Sequence, residues 1–259
     1  STVALTTGPA TAATLTHATT PLAGDRLDGV GLAVLQVGPT VYVGGTFTTV
    51  RDQAGASVAT RTNLAAFDAT TGRLRTTFRA DANGTVRALA TDGTRLFVGG
   101  SFTTVNGTTR NRLAAVDLVT GAVVTAFRAE VTSHVYALAT YPGNLVVGGS
   151  FSTIGGQARS RLAIVATDTG AVRPFAPTFD NTVVTVDATT TGDRIVVGGN
   201  FATVNGVART RAVVLTPAGA LAPTQLQNVG GPLSAITIAG DDRTLVTSMT
   251  GAANSTNRY

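Results

Sequence analysis

The sequence predicts an all-β fold, a β-propeller of five four-stranded blades, and three observations carry that expectation. A Gly-Gly-x-Phe motif recurs at Gly44-Gly45-Thr46-Phe47, Gly99-Gly100-Ser101-Phe102, Gly148-Gly149-Ser150-Phe151 and Gly198-Gly199-Asn200-Phe201, at intervals of 55, 49 and 50 residues. A period of about fifty filled with short strands belongs to propellers and related arrays. Each period holds four short apolar-rich runs separated by turn residues. Finally, the two ends share the register of the repeat: Asn257-Arg258-Tyr259 continued into Ser1 through Gly8 aligns without a gap on Asn111 through Gly121.

The second unit shows the elements in order. Val86–Thr91 is a short apolar-rich strand ended by the Asp92-Gly93 hairpin turn, where positive φ is easily met. Thr94–Phe102 follows, with β-branched and aromatic residues that favour a strand and paired glycines that signal a bulge or close backbone approach. Thr103–Asn111 reads as a polar loop, Arg112–Asp117 as the third strand, and Ala122–Arg128 beyond Gly121 as an outermost fourth, with Phe127 matching Phe78 of the unit before. Four antiparallel strands make a propeller blade.

The glycines between third and fourth strands fall at Gly72, Gly121, Gly170 and Gly219, each 49 residues apart, and Gly8 is the fifth. One domain over 1–259 results, with blades at about 30–80, 85–130, 134–180, 183–228, and 232–259 together with 1–17. The last unit carries Leu245–Met249 where a Gly-Gly pair is expected. A two-plus-two seam of C- and N-terminal strands would close the ring and leave no free edge. His17–Asp28 and Arg51–Thr60 read as insertions.

Composition excludes several chemistries. The chain has no Cys, so disulfides, Cys-ligated zinc and thiol catalysis are ruled out. It has no apolar run near the roughly 20 residues of a transmembrane helix. A start at Ser1 with no charged-then-apolar leader implies that any signal peptide has been removed. Few charges and many threonines suit a secreted or surface bacterial protein. A net charge of +5 does not point to nucleic acid, because Trp is absent, only four Tyr occur, and most Phe occupy repeat positions.

The signature Val-Gly-Gly-x-Phe-x-Thr-Val-x-Gly, followed by Arg-x-Arg-Leu and Asp-x-x-Thr-Gly, resembles the delta-60 repeat family of bacterial surface and secreted propellers, from about Leu32 to Arg258. The resemblance implies a β-propeller in an exported protein, with binding or adhesion as its role and no catalytic residues to transfer. The fifth unit departs from the pattern, and Arg51-Asp52 replaces Asn-Gly in the first.

No catalytic constellation, metal site or cofactor is expected. Glycosidase chemistry on five blades needs paired carboxylates at the channel, and Asp187 stands alone there while Asp92 falls in a turn. His17 and His134 show no metal-ligand spacing. Asp81-Ala82-Asn83-Gly84 and Asp180-Asn181 lack the ligand run of a calcium loop and read as turns. The most repeated polar feature is an arginine cluster: Arg61, Arg110 with Arg112, Arg159 with Arg161, Arg209 with Arg211, and Arg258, beside the Asn106 and Asn205 loops. Two readings stay open. These arginines pair with backbone carbonyls or with Asp81, Glu130 and Asp180 at equivalent positions, or they form a broken ring that takes an anionic glycan, a surface polymer or a protein partner. A spacer or assembly subunit without a small ligand is the alternative function, and glycoside processing is less favoured.

Overall fold

A computed structural model describes residues 24–223, 233–238, 242 and 245–249. The N-terminal half of the expected seam, residues 1–17, lies outside them, as do His17 and Arg258.

The first unit comprises β1 (Arg26–Leu27), β2 (Val30–Val37), β3 (Thr40–Thr46), β4 (Thr49–Arg51), β5 (Ser57–Thr60) and β6 (Leu64–Asp68). The second holds β7 (Val86–Thr91), β8 (Arg95–Gly100), β9 (Thr104–Val105), β10 (Thr108–Thr109) and β11 (Leu113–Asp117). The third repeats this as β12 (Val135–Tyr141), β13 (Asn144–Gly149), β14 (Thr153–Ile154), β15 (Gln157–Ala158) and β16 (Leu162–Ala166). The fourth does so as β17 (Val183–Ala188), β18 (Ile195–Gly199), β19 (Thr203–Val204), β20 (Val207–Ala208) and β21 (Ala212–Leu215). In the fifth, β22 (Leu233–Ile238) pairs with β23 (Leu245–Met249). The described residues are all-β, in small antiparallel sheets, and no described helix is long and apolar enough to cross a membrane.

Each of the first four units forms a three-stranded main sheet, β2-β3-β6, β7-β8-β11, β12-β13-β16 and β17-β18-β21. Alternation along the middle strand places successive side chains on opposite faces, and both faces are buried. Leu96 and Val98 pack back onto Tyr42, Leu64 and Ala66 of the first sheet. Phe97 between them packs forward with Leu145, Val147 and Val165 of the third. The same step joins the third sheet to the fourth and the fourth to β22. The repeat phenylalanines Phe78, Phe102, Phe127, Phe151, Phe175 and Phe201 are fully buried within these layers. Each such side chain stabilises the fold by about 1.5–3 kcal/mol on transfer from water.

The glycine pair does two separate jobs. A Cβ on the first glycine would collide with the opening residue of the next inner strand, 2.5 Å from Val135 Cγ1 at Gly99 and 2.7 Å from Val183 Cγ1 at Gly148. That glycine sets how closely sheets stack. A Cβ on the second would run into the backbone carbonyl of Thr85 at Gly100 and of His134 at Gly149. Opposite it, every inner strand carries one extra residue: Leu32, Arg87, Tyr136, Val184 and Ser234 are each skipped by the strand pairing. The bulge expected from the paired glycines is therefore present, and it lies on the facing strand.

The expected fourth strand is corrected. It shrinks to one isolated bridge per unit, Phe67↔Leu74, Val116↔Val123, Val165↔Val172 and Leu215↔Leu221. The preceding Asp-x-x-Thr-Gly turn is held by its acid, since Asp117 Oδ1 accepts the N–H groups of Val119 and Thr120 and the Thr120 hydroxyl. Those bonds lower the carboxyl pKa of Asp117, the Thr120 N–H having the largest effect. The expected polar loop between second and third strands is also corrected, because it folds as a small hairpin, β9–β10 and its equivalents. The end of the first insertion adds β1 to the β4–β5 hairpin.

Among the described residues, one sheet face lacks a packed neighbour. Val30, Leu32 and Val34 on β2 are 60%, 46% and 70% exposed, whereas Leu89 and Leu138, at the Val34 position of the second and third units, pack against core clusters. Val41, Val43, Phe67 and Leu27 line an adjoining groove of about 650 Å³.

Candidate functional site

The hairpins are the most regular surface feature, and their sequence explains them. Asn106-Gly107 and Asn205-Gly206 put two successive residues at positive φ, 49° and 73° and then 51° and 75°, as a two-residue hairpin turn requires. Gly155-Gly156 does the same in the third unit, at 55° and 75°. Each hairpin is clamped to the segment that enters its unit, through the bridges Ala82↔Val105, Val131↔Ile154 and Phe179↔Val204. Each also begins on a cap: Asn83 Oδ1 accepts the N–H groups of Thr103 and Thr104 at 2.8 and 2.9 Å, and Asp180 Oδ1 those of Ala202 and Thr203. Asp28 caps Thr48 and Thr49, and these N–H groups, Thr48 foremost, hold its carboxyl far below the usual carboxylate range. The outward strands β10, β15 and β20 are exposed. The result is a row of rigidly fastened hairpins.

Asn106 and Asn205 are part of that fastening. Asn106 Nδ2 donates to the carbonyls of Arg79 and Gly121 at 3.0 and 3.1 Å, while its Oδ1 accepts the Asp81 N–H. Asn205 repeats this with Gly219 and the Thr178 N–H. Asp81 and Glu130 accept the N–H groups of Thr62 and Asn111. Asp180, expected at the same position as Asp81 and Glu130, is corrected: the equivalent place belongs to Thr178, and Asp180 stands with Asp28 and Asn83 as a hairpin cap.

The structure separates the arginines into two sets. Arg61 and Arg110 are 6% and 1% exposed, and Arg159 and Arg209 hold the same repeat position. Arg61 donates to Phe78 O, Thr60 O and Thr76 O at 3.2, 2.9 and 3.1 Å. Arg110 donates to Thr109 O at 2.8 Å and reaches Val124 O and Thr125 O at 3.5 Å. Arg159 joins Ala158 O to Arg173 O, and Arg209 donates to Ala208 O. In the first three units the guanidinium thus reaches carbonyls of the fourth segment, which explains why that segment needs no regular ladder. Desolvation by burial lowers the pKa of Arg61 and Arg110.

The second set spans units. Arg112, Arg161 and Arg211 adopt φ of 65°, 66° and 69°, and Asn63, at their position in the first unit, 63°. From there Arg112 donates to Val131 O at 3.2 Å, Arg161 to Phe179 O at 2.6 Å, and Asn63 to Ala82 O at 2.9 Å. Six of the predicted arginines therefore hold backbone carbonyls. Among the described residues, the ion pairs lie elsewhere, at Arg75–Asp68, Arg79–Asp81 and Arg95–Asp92.

Sequence reasoning missed Arg79. Its side chain is 64% exposed beside a groove of about 560 Å³ lined by Thr62, Asp81, Asn83 and Asn106. Asp187 accepts the Thr237 hydroxyl at 2.9 Å and the Ile238 N–H at 2.8 Å, and so ties the fourth sheet to β22. Among the described residues, no three His, Cys, Asp or Glu side chains gather to hold a metal ion.

Sheets of this kind, stacked one per fifty-residue repeat, define a β-propeller, and the comparisons agree. A family described as "Domain of unknown function (DUF5122) beta-propeller" matches residues 95–114, 143–163 and 193–224, the second-to-third-strand stretches of three units. Among solved structures the chain is similar to Kuenenia stuttgartiensis hydrazine synthase, at 15% identity and a TM-score of 0.57, over 92% of this chain and 58% of that one. The chain thus spans somewhat more than half of that protein, and the likeness is one of fold. The computationally designed Ika4 protein is similar at 16% identity and a TM-score of 0.47, over 74% of this chain and 95% of that one. No curated protein matches the chain.

Proposed function

We propose that this chain is a non-catalytic recognition or adhesion module, a delta-60 repeat propeller of a secreted or surface bacterial protein, which binds a glycan, an anionic surface polymer or a protein through one face. The observation that carries this reading is the row of hairpins with exposed outward strands, each fixed at its root by a cap and at its tip by an asparagine or glycine turn. Loops on a rigid scaffold bind with little ordering cost. Folded protein passed over an array of bacterial surface polysaccharides tests it, and absence of enrichment on every polymer refutes it.

The ring proposed for this module has five blades, the last closed by residues 1–17. A size exchange supports closure. At successive junctions a glycine of the second strand faces a bulky opening residue, Gly99 with Val135 and Gly148 with Val183. By strand register, Gly31 occupies the opening position of the first blade and Ser248 the first-glycine position of the fifth. In a ring closed in this way, the larger residue would stand on the fifth blade's side of the last junction.

The alternative is a spacer or assembly subunit, favoured by the exposure of Val30, Leu32 and Val34. Oligomers that grow with concentration on a sizing column would support it. Glycoside processing has less support, since Asp187 is engaged with β22.

A further inference from the structure

We propose that Arg87, Tyr136 and His134 form a contact site for an acidic sugar, a uronate residue of an oligosaccharide. This rests on the recognition reading above and names its ligand class. Arg87 and Tyr136 are the extra residues of adjacent inner strands, β7 and β12, so the same backbone irregularity turns both side chains out of the pairing pattern. The Arg87 guanidinium carbon lies 5.7 Å from the centre of the Tyr136 ring, and the His134 ring lies 5.9 Å from it at a 42° tilt. The three groups make one patch across a single junction. At the other three such positions stand Leu32, Val184 and Ser234, so the patch is a departure from the repeat rather than part of its scaffold.

Arg87 differs from the six stapling arginines in the way that matters for binding. It is exposed, and its guanidinium makes no hydrogen bond or ion pair with any described residue, whereas Arg61 and Arg110 spend theirs on carbonyls. An unneutralised guanidinium offers parallel N–H groups to a carboxylate, and its position over Tyr136 is itself a cation–π contact that fixes the fork. A carboxylate docked there brings the attached pyranose beside the phenol ring, whose apolar body suits the C–H face of a sugar and whose hydroxyl suits its rim. Hydroxyl pairs lie just ahead of both strands in the chain, Thr85 with Thr46 at 3.5 Å and Ser133 with Ser150 at 3.0 Å, and suit the hydroxyls of a sugar better than the methylenes of an acidic peptide.

The test titrates the full chain with the trisaccharide of galacturonic acid, and in parallel with neutral galactotriose, by calorimetry and by tyrosine fluorescence. The wild type should bind the acidic trisaccharide, with affinity that weakens as salt rises, and bind the neutral one at least tenfold more weakly. Arg87→Ala and Tyr136→Ala should each lose at least tenfold, while Arg73→Ala, which removes one exposed positive charge from the turn after β6, should bind as wild type. Unchanged melting temperatures would establish that the variants fold. Equal affinity of Arg87→Ala and wild type, or equal binding of both trisaccharides, overturns the site. The polysaccharide array separates the two levels: enrichment on some polymer that survives Arg87→Ala leaves the recognition reading standing and removes this site, whereas no binding anywhere removes both.

Discussion

Replacing Gly99 by Ala should weaken the stacking of the second sheet on the third by a calculable amount. The new Cβ would lie 2.5 Å from Val135 Cγ1 and 3.2 Å from Leu138 Cδ1. Carbon atoms pack at about 3.5–4.0 Å, so the junction must open by roughly 1 Å. Val135 is fully buried in the cluster that holds Leu145, Val147 and Phe151. Overpacking of this kind costs about 1–3 kcal/mol. Urea unfolding followed by circular dichroism measures it. Val135→Ala removes the clashing methyl and by itself costs about 2 kcal/mol in lost burial. In that background Gly99→Ala, left with contacts of 3.2 Å to Leu138 Cδ1 and to the residue 135 Cβ, should cost less than about 1 kcal/mol, a coupling of roughly 0.5–2 kcal/mol. Gly100→Ala provides the contrast, because it clashes with the Thr85 carbonyl and Val135→Ala cannot relieve it. Additive effects of Gly99→Ala and Val135→Ala would refute the claim that the first glycine sets the spacing between sheets.

Arg110→Ala should destabilise by about 1–3 kcal/mol, because it removes the buried guanidinium that donates to the partly buried carbonyls of Thr109, Val124 and Thr125; thermal melts should show a smaller loss for the less buried Arg159→Ala. The Asp117 carboxyl titrates below its ordinary value, so its contribution is present above about pH 4 and is lost as pH falls through the depressed folded pKa. Asp117→Asn should therefore flatten that part of an acid-unfolding profile. Gly31→Val should lower the melting temperature, in part through Val43 Cγ1, 3.1 Å from the new Cβ; in a closed ring Ser248→Gly should recover the remainder of the loss, and independent effects would count against closure.

The parts of the fold visible in the sequence are those set by local chemistry. Positive φ at Gly72, Gly121, Gly170 and Gly219 and the apolar alternation of Leu96–Val98 depend on near neighbours, and they place turns and strands correctly. The hairpin at Thr104–Thr109 carries an equally local Asn-Gly signal that the surrounding threonines hid. The fourth strand misled for another reason. Phe127 is buried as its pattern requires, but pairing there is displaced by a guanidinium from Arg110, fourteen to fifteen residues away in the chain. Asp180 was misplaced because the segment entering the fourth unit is one residue shorter than its predecessor, which a count by fixed period cannot register. The Arg87 patch occurs once, so a search guided by repetition passes over it.

The extra residue in every inner strand gives this architecture a freedom that its packed layers lack. Leu32, Arg87, Tyr136, Val184 and Ser234 are the positions that strand pairing skips. Exchange at these sites leaves the stacking glycines and buried aromatics untouched. A lineage could therefore rewrite what the inner rim presents, one wedge at a time, while inheriting the same frame.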